Sequence, residues 1–384
     1  MRVTHVITRL IVGGAQENTI ATVLGLRERH GVAVQLISGP TTGPEGSLED
    51  KVTVVPDLLT LVPELIRPIH PWKDTLAFLK LAKLFREHRP QIVHTHSGKA
   101  GVLGRLAASR ARVPVIVHSI HGPSFGNFQS ELPNAIFRIA ERIAGRCTTH
   151  FIAVANAMIE QYRAVGIGQI ESFSRIFSGF DLEPFLNAAN DPALRARYAI
   201  RDTDIVVGKI ARLFKLKGHD DLLTVAPKLV RACPQMKFLL VGDGAWRCRL
   251  EARARDLGLG NHFIFTGLVP PDVVPRLIGM MDIVVHLSRR EGLARALPQA
   301  LAAARPVVAY DCDGASEVCV DDETGFLVKP GDLAALTQCL NRLAASKNLR
   351  ESLGRRGQAF VAQHFSVEKM VDAQHALYLK LLDR

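Results

Sequence analysis

Two cations five residues apart, Arg212 and Lys217, lie in the run Arg212-Leu213-Phe214-Lys215-Leu216-Lys217-Gly218-His219, directly after a β-branched apolar stretch. A guanidinium and an ammonium projecting beyond a strand end suit a diphosphate, with its paired oxygens and concentrated negative charge. A second polar turn, Glu291-Gly292-Leu293, follows another apolar run. Glu291 can accept hydrogen bonds from sugar hydroxyls, and Gly292 leaves space beside it. A helix predicted over 293–304 would be opened by Glu291, with its first N–H groups turned toward a pyrophosphate. Gln299 stands eight residues on, about 12 Å along such a helix, where it would meet ribose hydroxyls. Gly242-Asp243-Gly244 follows the run KFLLV and would let a ligand lie close to the backbone.

The first half offers different chemistry. Gly13-Gly14 suit either a tight strand-to-helix reversal or a phosphate at the helix start. The third glycine of a dinucleotide fingerprint is absent. His94 and His96 alternate along a predicted strand and share a face. No third ligand accompanies them at metal-site spacing, so no metal is expected. His118 reads as structural, whereas His121, followed by Gly122-Pro123, lies in a loop beyond a strand end and would touch substrate. Asp311-Cys312-Asp313 spells a two-carboxylate metal pattern, but Gly314 makes it a strand-to-helix turn, and it is read as a loop. The six cysteines include no C-x-x-C pair and read as buried thiols in a reducing cytoplasm.

These residues are positioned by alternating strands and helices. Strands are predicted over 3–8, 32–37, 52–55, 92–95, 115–118 and 151–154, then over 205–211, 238–241, 263–266, 283–287, 307–310 and 326–328. Helix-period stretches include 75–87, 131–144, 219–231, 247–256 and 271–280. Near-continuous apolar strands alternating with helices predict parallel sheets covered on both faces. With 384 residues, 47% of them hydrophobic, the fold class is α/β: two doubly wound, Rossmann-like domains facing across a cleft. The expected domains are 1–185, 186–365 and a helix, 366–384, that opens on Ser366 as N-cap. Ligands should bind beyond the carboxyl ends of the strands.

The formal net charge is +11. Basic residues outnumber acidic ones by 20 to 15 up to residue 190 and by 28 to 22 after it, so the excess is not confined to a tail. Such a field attracts phosphorylated molecules and anionic lipid surfaces. With 6% aromatics and no RNP-like or zinc-finger pattern, nucleic acid is not an expected partner. No run approaches the ~20 apolar residues that span a bilayer, and no secretory signal is seen, so a cytoplasmic location is expected. The stretch 75–89, apolar residues interleaved with Lys80, Lys83, Arg86 and Arg89, reads either as a sheet-covering helix with a solvated basic face or as a site of peripheral contact with an anionic inner membrane surface.

Taken together, the motifs resemble the GT-B glycosyltransferases of family 4 over nearly the whole chain. The resemblance is carried by Gly13-Gly14, VHTHS at 93–97, His121-Gly122, FIAVAN at 151–156 and Ala211-Arg212-Leu213 with Lys217-Gly218. VGDG at 241–244, FTGLV at 265–269 and SRREG…PQAL…RPVVAYDCDGASEV ending at 318 complete it. It implies a retaining, metal-independent transfer from a nucleotide diphosphate sugar, UDP favoured over GDP, to a glycan or lipid-linked acceptor, with no cofactor. Arg212 and Lys217 would bind the diphosphate and Glu291 the donor sugar. Gly13, Gly14, Gly242, Gly244, Gly292, Leu293 and Gln299 would line the donor site, with the base near Leu268 and Val269 and His121 at the reaction centre. The final helix would cross back to the first domain. Three positions depart from the family pattern. Its E-x7-E ends here in Gln299, Ser178 replaces an asparagine, and Arg305 replaces a small residue before Pro306. An amide can still hydrogen-bond two hydroxyls, so activity is expected. The alternatives are a non-transferring enzyme such as a UDP-sugar epimerase, or a catalytically silent sugar-nucleotide binder.

Overall fold

The computed structural model describes residues 1–42, 46–126 and 128–383. The chain folds as two compact units, Met1–Phe180 together with the residues from Ser366 on, and Asp181–Phe365. Each is built on one parallel sheet. In the first unit the strands are β1 (Arg2–Ile7), β2 (Ala33–Ser38), β3 (Leu59–Leu61), β4 (Ile92–His96), β5 (Val115–Ile120), β6 (His150–Ala153) and β7 (Phe173–Arg175). Their order is β3-β2-β1-β4-β5-β6-β7. In the second they are β8 (Ile205–Ile210), β9 (Met236–Val241), β10 (Phe263–Gly267), β11 (Ile283–His286), β12 (Val307–Tyr310) and β13 (Gly325–Val328). Their order is β10-β9-β8-β11-β12-β13. In each sheet the chain winds outward in both directions from the central strands, so helices cover both faces and the strands read as buried apolar runs.

One predicted strand is corrected. Residues 52–55 do not extend: Asp50–Thr53 is a helical turn, and the sheet edge is β3 instead. Val52 is buried and Val55 packs against the same core, while Val54 between them faces solvent. A spacing of three on one side fits a helical turn, not the alternation of a strand.

The last helix, Val367–Leu382, belongs to the first unit. Ser366 caps it, its hydroxyl accepting from the Lys369 N–H at 3.2 Å. It lies on the helix Gly14–His30, where Gly25 allows contact: a Cβ there would stand 2.6 Å from Val371 Cγ2. Asp372 accepts from Arg29 at 2.9 Å and from His30 at 2.8 Å.

Two helices of the first unit carry apolar and basic residues together. In Pro71–His88, which contains residues 75–88 of the 75–89 stretch, Ala77, Leu81, Ala82 and Phe85 are buried against the sheet, while Trp72 and Leu79 are exposed. The helix Glu131–Gly145 differs: Leu132, Ile136, Ile139 and Ile143 are 50–72% exposed. At 100° per residue these four fall on one narrow stripe. The helix is held from inside by Glu141, whose carboxylate accepts from Arg105 at 2.6 Å, both side chains fully buried. Arg105 also donates to the Gly101 carbonyl at 2.7 Å. Among the described residues, no helix is long and apolar enough to cross a membrane.

Breaking a buried ion pair strands the surviving charge, which costs about 3–5 kcal/mol. Glu141→Ala should therefore lower the unfolding free energy of the first unit by that amount, read as a reduced urea midpoint. Arg105→Met with Glu141→Leu should recover most of the loss.

Candidate active site

The sequence-predicted residues of the second unit line the carboxyl edge of its sheet, on four adjacent strands. Leu268 and Val269 follow β10, Gly242 to Gly244 follow β9, Arg212 to Gly218 follow β8, and Glu291 to Leu293 lie beyond β11. Neighbouring parallel strands run about 4.8 Å apart, so these turns form a continuous row.

The turn after β8 is fixed by its neighbours. Its backbone zips to the next turn through Ala211 N–H to Val241 O at 3.0 Å and Leu213 N–H to Asp243 O at 2.9 Å. Gly242, at φ 132°, is forced by this contact, because a Cβ would strike the Ala211 carbonyl oxygen. The glycines 242 and 244 thus serve first to seat one turn on another. Arg212 is exposed, with its guanidinium 5.4 Å from the Phe214 ring centroid. Its carbonyl accepts from His219 Nε2 at 3.1 Å. Leu216 is held at φ 70°, a conformation costly for a branched residue. Its carbonyl accepts from the Arg289 N–H at 2.8 Å, which ties the β8 turn to the β11 turn. Gly218, also at φ 70°, lies so close to Leu287 that a Cβ would collide with that carbonyl oxygen.

This close approach joins Lys217 to Glu291: the ammonium donates directly to carboxylate Oε1, both groups part-buried. Burial alone would raise the Glu291 carboxyl, but the Lys217 ammonium and a Ser288 hydrogen bond outweigh it and hold it below the usual carboxylate range. His286 Nε2 stands 3.8 Å from the same oxygen, and burial lowers that imidazole to about 3, so it is neutral.

The helix predicted to begin at Glu291 is corrected. Residues 288–295 are irregular and the helix is Ala296–Ala302, so Glu291 and Gln299 are not two turns apart on one helix. The Glu291 N–H donates to the Asp313 carboxylate at 2.6 Å, and the Gly292 carbonyl accepts from the Gly314 N–H at 3.1 Å. Those bonds draw the segment toward the turn after β12 and away from helical pairing. Asp313 is accordingly a structural acceptor for the Glu291 backbone. Of the departures, Arg305 donates to the Gly279 carbonyl at 2.8 Å and Ser178 accepts from Asn18 at 2.8 Å.

In the first unit, Gly13 is extended (φ 174°) and Gly14 starts the helix Gly14–His30. His121 follows β5, and His96 ends β4 beside it. Sequence reasoning found no third partner for His94 and His96, but β1 supplies one: His5 pairs in register with His94. Ring nitrogens of His5, His94 and His96 lie within 4.8 Å of one another, and all three side chains are buried. These are the donor types for a transition metal. Yet His94 bonds Tyr378 Oη at 2.5 Å and Ser119 Oγ at 2.8 Å, and His96 bonds His5 at 2.9 Å and His121 at 3.1 Å. His5 Nε2 alone lacks a partner, so a cation would have to break imidazole hydrogen bonds to enter.

Comparison with known proteins follows the same division. Residues 12–183 match the model for Glycosyltransferase Family 4, and residues 190–360 match that for Glycosyl transferases group 1. The chain is 31% identical over 291 residues to the GDP-mannose-dependent alpha-(1-6)-phosphatidylinositol monomannoside mannosyltransferase of Mycolicibacterium smegmatis, covering 73% of this chain and 74% of that one. The chain belongs to glycosyltransferase family 4. It is also 27% identical over 353 residues to the UDP-Gal:alpha-D-GlcNAc-diphosphoundecaprenol alpha-1,3-galactosyltransferase of Escherichia coli, covering 90% of this chain and 87% of that protein. The crystal structure of the Anabaena protein HepE in complex with UDP superposes with a TM-score of 0.82 at 24% identity, over 99% of this chain and all of that one. The shared fold is GT-B, two Rossmann-like units.

One further residue of this glycosyltransferase escaped sequence reasoning. Lys209 interrupts the apolar run of β8, and that interruption was the available signal. It is fully buried, its Nζ without a hydrogen-bond partner, and burial, aided by repulsion from Lys217, lowers its ammonium to about 7. The folded chain therefore binds fewer protons than the unfolded one between pH 7 and about 10.4. The destabilisation is complete below pH 7 and fades as pH rises through that window. Lys209→Met should raise Tm clearly at pH 6.5 and hardly at pH 10, as thermal melts at the two pH values would register.

Proposed function

We propose that this glycosyltransferase moves a hexose from a UDP-sugar to a lipid-linked glycan, with retention and without a bound metal. The observation that carries the reading is the Lys217–Glu291 contact on the carboxyl edge of the second sheet, with Arg212 in the same turn. Glu291 would hold donor-sugar hydroxyls while Arg212 and Lys217 face the diphosphate. As the bond from the anomeric carbon to the diphosphate oxygen breaks, charge grows on the leaving nucleotide, and two placed cations stabilise it without reorganising. The acceptor oxygen bonds the anomeric carbon on the face the nucleotide leaves, and its proton passes to the departing phosphate. Asp313 is engaged on the Glu291 N–H, which supports a route without a carboxylate–metal bridge. UDP is favoured because the E. coli relative is named for UDP-Gal and the HepE structure holds UDP. Arg212→Ala and Lys217→Ala should each cut turnover by about 10²–10³-fold in a nucleotide-release assay with UDP-sugars. Wild-type rates in both variants would overturn the assignment. UDP at about 100 times its Kd should add about 2.7 kcal/mol of stability, more than GDP at the same concentration.

The lipid-linked acceptor is supported by the two relatives, named for a diphosphoundecaprenol and a phosphatidylinositol substrate. The exposed stripe Leu132, Ile136, Ile139 and Ile143 shares its helix with Arg138 and Arg142, and Arg146 follows directly. An apolar face edged by cations suits shallow insertion among anionic headgroups. Membrane contact is accordingly assigned to Glu131–Gly145 in preference to 75–89. The protein should float with phosphatidylglycerol vesicles at low salt, and Ile136→Asp with Ile139→Asp should abolish flotation while leaving Tm unchanged.

A further inference from the structure

The buried histidines of the first unit form a directed chain. His5 Nδ1 meets His96 Nε2 at 2.9 Å, and His96 Nδ1 meets His121 Nε2 at 3.1 Å. Burial holds all three neutral: His5 is lowered to about 3, His121 to about 4, and His96 well below its usual value. A neutral imidazole has one N–H and one lone pair, so a ring that donates from one nitrogen must accept on the other. Two linked contacts therefore run in a single sense, and only two senses exist.

In one sense His121 donates to His96 and His96 to His5, leaving a proton on His5 Nε2. That nitrogen is buried and has no partner. In the other, His5 donates from Nδ1 and His96 donates from Nδ1, leaving only a lone pair on His5 Nε2. A buried N–H with nothing to donate to is the costlier orphan. His94 cannot relieve it, because both its nitrogens are taken by Tyr378 and Ser119.

We propose that His5 and His96 act as positioning residues that fix His121 in the Nδ1–H form, so that it meets substrate as a one-way hydrogen-bond donor. Its Nε2 is occupied by His96, and no described residue bonds Nδ1. The group it recognises is an acceptor oxygen, a sugar hydroxyl or phosphate oxygen, and the role excludes Nδ1 as a proton-accepting base. The assignment of that oxygen to a substrate rests on the transferase reading above; the tautomer itself does not.

Long-range ¹⁵N–¹H correlation spectra of ring-labelled histidine, assigned with His5→Asn, His96→Gln and His121→Asn, test the chain at pH 7. In the wild-type protein His5, His96 and His121 should all carry the proton on Nδ1; a proton on Nε2 of His121 overturns the proposal. In His5→Phe the first donor is gone, so His121 should show mixed tautomers, with kcat lowered about tenfold, one hydrogen bond's worth, and donor KM little changed. The His5→Asn side chain can donate from the place of Nδ1 and should restore both the single tautomer and most of the rate. A single Nδ1–H form with wild-type kcat in His5→Phe would equally overturn it, and should that variant not fold, the wild-type and His5→Asn spectra still decide. Failure of the transferase reading shows separately, as wild-type rates in Arg212→Ala and Lys217→Ala, and leaves the spectra unaffected.

Discussion

The absent side chain of Gly218 is the constraint on which the charged centre rests. Parallel strands leave their carboxyl-end turns side by side, and the two turns that carry Lys217 and Glu291 also touch backbone to backbone. Gly218 meets the Leu287 carbonyl where no other residue fits, and Leu216 accepts a left-handed backbone so that its carbonyl can receive the Arg289 N–H. Local strain of this kind, about 1–3 kcal/mol for a non-glycine residue, persists because the sheet overdetermines the turn. Asp221 adds to the hold, accepting from Arg289 and from the Tyr310 hydroxyl at 2.8 Å each. The geometry of Lys217 and Glu291 thus belongs to the frame.

Much of this was legible in the residues. Eleven of the twelve expected strands form, because a strand buried on both faces has to be apolar throughout and β-branched runs such as Val115–His118 leave no other reading. The Ser366 cap, the shared face of His94 and His96, and the polar turns after β8 and β11 are also local properties. What stayed hidden depends on partners distant in sequence. His5 is one polar residue in VTHVI until β1 is laid beside β4. Lys209 is one cation in an apolar run until the neighbouring strands and helices bury it. The helix expected from Glu291 fails because Asp313, twenty-two residues on, captures its N–H. The need for glycine at 242 comes from the Ala211 carbonyl, thirty-one residues earlier.

Both units answer the problem of polar groups inside a parallel sheet, in opposite ways. In the first, imidazoles bond to one another, to Ser119 and to Tyr378, leaving only His5 Nε2 among the buried nitrogens of the linked rings without a partner, and burial keeps these rings neutral. In the second, Lys209 is left without a partner beneath an ion pair, and its charge is suppressed. A network with a single orphan nitrogen favours one arrangement, whereas an unsatisfied cation is a standing cost. The first arrangement suits a residue that must always present the same hydrogen atom.

The return of Val367–Leu382 to the first unit has a consequence for biosynthesis. Val371 against Gly25, Asp372 against Arg29 and Tyr378 against His94 are contacts spanning most of the chain. During translation the unit Asp181–Phe365 is continuous and complete as soon as it emerges, while the portion made first waits with one flank of its core uncovered. The first unit therefore completes its core only after the second has been synthesised, although its own synthesis begins earlier.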